Sequence, residues 1–267
     1  MTKNIKNYNG LAHPPLSGKS LIGRGFWVLE RSFFGGKKHA FTLAEVLITL
    51  VIIGVVAALT IPNLMQKYTE QATVKKVQKF YSNLSNAYTL AMKENGTIDG
   101  WGITGNNVES ASLLYKILFK PYFKIAKNCG TNNKGNCLAN VIYKKLNNED
   151  SWNFSHATYY QVVLDNGAVI FFRGHSSNDT AYVVYDVNGH KEPNQWGRDT
   201  FSFWLRKDRA IPSGLKAGGE LTALPFISNC QKTNDGGGCA AWVIYKGNLD
   251  YLHCDGLTWK SKSCKDK

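Results

Sequence analysis

The 267-residue chain is 43% hydrophobic and 19% charged, which excludes a disordered protein and allows one sizeable core with appendages. Its net charge of +13 is uneven: residues 1–40 hold seven of the 32 Lys and Arg against Glu30 alone, leaving +7 on residues 41–267. That excess suits nucleic acid or anionic lipid, yet no basic cluster interleaved with aromatics stands out, and a solubilising surface is the plainer reading.

Residues 1–40 combine basic charge with a short apolar patch, Gly25-Phe26-Trp27-Val28-Leu29. Residues 40–66 then read AFTLAEVLITLVIIGVVAALTIPNLMQ, and between Glu45 and Lys67 there are 21 consecutive uncharged residues. A helix of that length covers roughly 30 Å, one hydrocarbon core. Three readings compete. A cleaved secretory signal has an apolar core of about 7–15 residues before small residues at the cut; Val56-Ala57-Ala58 fits such a cut, but the apolar run continues past it. A plain membrane anchor leaves Glu45 without a task, although a carboxylate at bilayer depth costs on the order of 2–3 kcal/mol. Basic residues flank the run on both sides, so charge does not set its orientation.

The third reading rests on a resemblance. Lys37-Lys38-His39-Ala40 followed by Phe41-Thr42-Leu43-Ala44-Glu45 resembles the leader junction of type IV pilins and type II secretion pseudopilins, and Gly54 and Pro62 match the glycine and proline of that family's helix. The resemblance implies that a prepilin peptidase removes a leader of residues 1–40 between Ala40 and Phe41 and methylates the new amino terminus of Phe41. It implies further that Glu45 pairs with a neighbouring subunit's terminal amine, and that Gly54 and Pro62 shape the assembly helix. Implied partners are identical or related pilin subunits, the peptidase, an inner-membrane assembly platform and membrane lipid. The chain departs from the family in having Ala40 where Gly is usual, and in a leader longer than is usual. An amine and a carboxylate left unpaired in apolar surroundings cost several kcal/mol, which makes the pairing physically reasonable.

Beyond the apolar run, Val74, Val77, Tyr81, Leu84, Tyr88 and Ala91 recur at spacings of three and four, with Lys75, Lys76, Lys79 and Lys93 off the stripe. One helix from about Thr42 to Glu94, stopped by Asn95-Gly96, is expected, with about 41–66 as its membrane and assembly half. Residues 97–267 should form an extracytoplasmic domain. A short helix from Ala111 to Phe119 should end at Pro121, after which the period changes to two. Thr158–Leu164 and Ala168–Phe172 read as a hairpin around Asp165-Asn166-Gly167, and Ala181–Val187 and Phe201–Leu205 as further strands. The expected class is α+β, with an antiparallel sheet packed on the helix stripe.

All six cysteines lie in this domain: Cys129, Cys137, Cys230, Cys239, Cys254 and Cys264. None forms C-x-x-C, so zinc and thioredoxin-like readings are weak, and an even count behind an export-type segment points to disulfides. Sequential pairing is the expectation among fifteen connectivities. His253-Cys254-Asp255 suggests a nucleophile, but adjacent strand residues face opposite ways, and Cys254 is expected in a disulfide. No hydrolase, P-loop, metalloprotease or dinucleotide fingerprint is present, and the expectation is a protein that is not an enzyme. No cofactor is expected, calcium being the one candidate. Asp186, Asn188 and Asp199, with Pro193-Asn194 between, group oxygen donors in a loop, and some pseudopilins bind calcium in such loops. The alternative function is an uncut, membrane-anchored extracytoplasmic domain that binds or hydrolyses a ligand.

Overall fold

The computed structural model describes residues 41–131, 142–151, 154, 156, 158–175, 180–189, 191–217, 220–221 and 226–265. The chain divides into two compact units, residues 1–52 and 53–267, and the boundary falls within the first helix. That helix, α1, spans Leu43–Asn95 and passes through Pro62 without interruption.

In the first unit every described residue is exposed, including Leu43, Leu47, Leu50 and Val51. In the second unit the exposure continues through Ile61, Leu64 and Met65, and burial begins only at Thr73. From there the buried positions are Val74, Val77, Phe80, Leu84, Ala87, Tyr88 and Ala91, the repeat of a helix with one face covered. Tyr81 is only partly buried; the fully covered ring is its neighbour Phe80. The helix stops at Gly96, whose φ of 77° is left-handed and ends the hydrogen-bond ladder.

A 3-10 turn, Ile98–Trp101, leads to α2, Val108–Leu114. The Asn107 side chain accepts from the Ser110 N–H at 2.7 Å, an N-cap that starts α2. The helical path does not end at Pro121. It continues as a π-helical turn, Tyr115–Phe119, into α3, Lys120–Tyr122, and carries Pro121 in its last turn.

Six antiparallel strands follow: β1 Ile125–Thr131, β2 Tyr160–Leu164, β3 Val169–His175, β4 Thr180–Asp186, β5 Thr200–Leu205 and β6 Ala210–Pro212. They lie in chain order across the sheet, each beside its sequence neighbour. The four strands read from the sequence are thus present with bounds moved by a residue or more, and β1 and β6 add an edge on either side. A separate two-stranded pair, β7 Lys216–Ala217 with β8 Glu220–Leu221, comes next. Two helices, α4 Phe226–Asn229 and α5 Ala240–Lys246, and a 3-10 turn at Asp250–Leu252 complete the chain.

Register sorts the sheet into rows. Tyr160, Phe172, Val183 and Phe203 are successive partners facing α1. There Phe80 stacks on Tyr185 at 4.0 Å and meets Phe203 at 5.3 Å, while the Tyr88 hydroxyl donates to the Arg206 carbonyl at 2.7 Å. The opposite face carries Phe171, Tyr182, Val184, Trp204 and Ile211, covered by Tyr143, Phe154 and Trp196 from connecting segments. Both faces are therefore dry, which is why the strands read as nearly unbroken apolar runs. Gly174 has no side chain because a Cβ there would collide with the Gly105 carbonyl and lie 2.8 Å from Ser110, where α2 crosses β3.

Candidate functional site

Thr42, just before α1, and Glu45, one turn in, satisfy each other. Glu45 Oε2 accepts from the Thr42 backbone N–H at 2.8 Å and from its hydroxyl at 2.9 Å, while Thr42 Oγ1 accepts from the Glu45 N–H at 3.2 Å. This is a capping box, and its carboxylate also complements the positive end of the helix dipole. The T-x-x-E spacing is its sequence signal, and it gives Glu45 a local partner besides the intersubunit one that the resemblance implies. Next to it Phe41 is 84% exposed. Ala40 lies outside the described residues.

Within the second unit, Gly54 faces open space: a Cβ built there meets nothing within 4 Å. Pro62 leaves the Ala58 carbonyl without its usual N–H donor, yet the helix assignment is unbroken there. Among the described residues α1 is the one helix long and apolar enough to cross a membrane, and its most apolar window is not buried anywhere. A helix apolar on all sides requires lipid or other helices around it.

The cysteines are oxidised where they are described. Cys230 bonds to Cys239 and Cys254 to Cys264, two of the three sequential pairs, and Cys129 is also disulfide-bonded. Cys137 lies outside the described residues. His253 does not act with Cys254; its Nε2 lies 2.9 Å from both oxygens of Glu70 on α1.

Asp186, Asn188 and Asp199 do come together, in the turn that closes β4. Asp186 Oδ1 accepts from the Asn188 and Gly189 N–H groups at 3.1 and 2.9 Å, and Oδ2 from the Tyr143 hydroxyl at 2.6 Å. Asp199 accepts from the Asn194 and Gln195 N–H groups at 2.8 and 2.7 Å and from the Thr200 hydroxyl at 3.2 Å. Gly189 takes φ of +64° and abuts the Gly167 carbonyl, so only glycine closes this turn without strain. Burial, with the nearby Asp199 charge adding to it, pushes the Asp186 carboxyl up to about 7. Burial raises Asp199 as well, against the pull of its backbone donors. Calcium takes six to eight oxygen ligands. Here all four carboxylate oxygens already face N–H or O–H donors, an arrangement that fits a hydrogen-bonded turn rather than a cation cage. Tyr143, the buried partner that makes this turn a network, has no sequence signal because it lies 43 residues from Asp186.

Comparison with known families adds two matches. The model of a family of unknown function (DUF6613) matches residues 63–213, more than half of the chain. The chain belongs to this family. The match covers α1 from just after Pro62 through the six-stranded sheet and stops before β7. The second match, the prokaryotic N-terminal methylation motif, covers residues 36–61 and carries the signature of type IV pilins and pseudopilins. No curated protein and no solved structure matches the chain.

Proposed function

We propose that this chain is a structural subunit of a type IV pilus-like or type II secretion pseudopilus filament, made as a precursor, cut before Phe41 and assembled by packing of α1. The observation that carries the reading is an apolar window of α1 with none of its residues buried, opening on a capped glutamate beside Phe41, inside a methylation motif. The free subunit holds Glu45 through Thr42. On assembly the carboxylate exchanges or shares that partner with the amine at Phe41 of a neighbour, so the charge never meets lipid unpaired. The disulfides support a domain that folds in an oxidising compartment, outside the cytoplasm. The work of such a protein is assembly and display rather than catalysis.

N-terminal sequencing and mass analysis of chain purified from its native membrane test this reading. A chain beginning at methylated Phe41 is expected; an intact Met1 overturns it in favour of an uncut anchored domain. Glu45→Ala should remove most filaments while leaving the subunit in the membrane. Unchanged filament abundance would rule out the assembly role.

A further inference from the structure

On the sheet face away from α1 lies a cavity of about 210 Å³, walled by Phe154, Tyr159, Tyr182, Trp196 and Trp204. A dry cavity of about 150 Å³ admits a benzene ring, so this one has room for a single substituted ring. Its polar lining comes from Arg173 and His175 on β3 and from Lys145, Ser151 and Asp235 on connecting segments. Arg173, Tyr182 and Trp204 are consecutive partners across β3, β4 and β5, which sets a guanidinium and an indole in one row. The Arg173 guanidinium lies over the Tyr159 ring at 5.1 Å and the Tyr182 ring at 5.8 Å, so aromatic faces hold it in position.

Two donors in this wall have no acceptor among the described residues: the indole N–H of Trp204, a residue only 4% exposed, and the Nε–H of Arg173. A buried donor without a partner is costly, and its natural complement is an acceptor brought by a ligand. Charge points the same way. Neither Arg173 nor Arg206, which lies over Trp204 at 5.3 Å, has a carboxylate partner among the described residues, whereas Lys145 at the rim is neutralised by Glu149 and Asp235. Burial, then the positive charges of Arg173 and Arg206, hold the His175 imidazole below its usual range, as expected where the local potential is positive.

We propose that this cavity binds a small planar carboxylate: a single ring stacked between the aromatic walls, its carboxylate accepting from Arg173 and from the Trp204 indole. The site belongs to the displayed domain and holds whether or not the chain is cut at Phe41.

The test uses the full chain in detergent micelles, labelled with ¹⁵N, and follows the indole N–H resonance of Trp204, assigned through Trp204→Phe. Benzoate and 4-hydroxybenzoate are titrated to about 20 mM, well above the millimolar range expected for one ring and one ion contact, with benzyl alcohol as the uncharged control. Saturable movement of the Trp204 resonance by an acid and not by the alcohol is expected. Arg173→Gln should weaken binding about 10-fold or more, the size of a lost charge-assisted hydrogen bond. No saturable shift with either acid, or an equal response to benzyl alcohol, overturns the proposal. The wild-type comparison stands by itself if Arg173→Gln fails to fold; if it folds, unchanged affinity overturns the proposal as well.

Discussion

Asp186 is a carboxyl whose charge the fold opposes. Buried beneath Tyr143 and near Asp199, it takes up a proton close to neutrality, whereas in the unfolded chain it does so near 3.9. Between those values the native state binds a proton that the unfolded state releases. The group's contribution to stability is therefore complete below about pH 4, declines as pH rises towards 7, and is constant above. Most paired carboxylates act in the opposite sense. Thermal unfolding should accordingly show a higher Tm at about pH 5 than at about pH 7.5, and Asp186→Asn should narrow that difference, since each tenfold change in proton affinity is worth ~1.4 kcal/mol. Asparagine can keep the oxygen that faces Asn188 and Gly189 and offer its amide to Tyr143, so the fold should survive the change. An identical pH profile in wild type and variant would refute the assignment. Because six protein donors already engage the two carboxylates, EDTA should leave the transition where it is; a clear fall in Tm would reveal a bound cation.

At the scale of elements, α1 has two kinds of apolar residue that composition alone does not separate. Phe80 is covered, stacked on Tyr185 and edge-on to Phe203, and Phe80→Ala should cost the domain about 3–5 kcal/mol through lost burial and a cavity. Leu59 is 70% exposed, and Leu59→Ala should change domain stability by less than ~0.5 kcal/mol while impairing whatever packs around the helix. Denaturation of the two variants in detergent, set beside filament counts, separates the roles. The helix and its stripe were legible because Val74, Val77, Leu84, Tyr88 and Ala91 keep one period for five turns. Phe80 escaped because Tyr81 beside it fits that period equally well. The four central strands were legible from their apolar runs. β1 was not: Ala126-Lys127-Asn128 is exposed, the strand shifts register twice, and only the open edge of β2 recruits it. β6 is three residues ending in proline, tolerable only at an edge. α5 is a short apolar run closed by Lys246, too short for periodicity to tell helix from strand. At the candidate site, the motif around Phe41 and Glu45 was legible because it is local. The cavity was not, since its walls come from segments joined only by the sheet.

The molecule as a whole relies on cross-links where regular structure thins out. After α5 the chain has one short turn and then an irregular tail. The Cys254–Cys264 bridge fastens that tail, assisted by the Lys246 ammonium donating to the Trp259 carbonyl at 2.8 Å and the Cys264 N–H donating to Asp250 at 2.8 Å. Replacing both cysteines with serine should cost about 2–4 kcal/mol at most. Hydrogen exchange should locate the loss in residues 250–265 while protection of the central strands persists. Exchange that rises equally throughout would mean the tail is integral to the core.

The chain-order sheet has a consequence for how the domain is made. Each strand finds its mate in the strand just before it, so the sheet can pair in order of synthesis, while the covered face of α1 gains Phe203 and Arg206 only once β5 is made. A polypeptide delivered across a bilayer amino-end first can set its rungs one by one as they emerge, and each new rung hinders backsliding. On the proposed route across the membrane, folding of this kind would itself act as a ratchet.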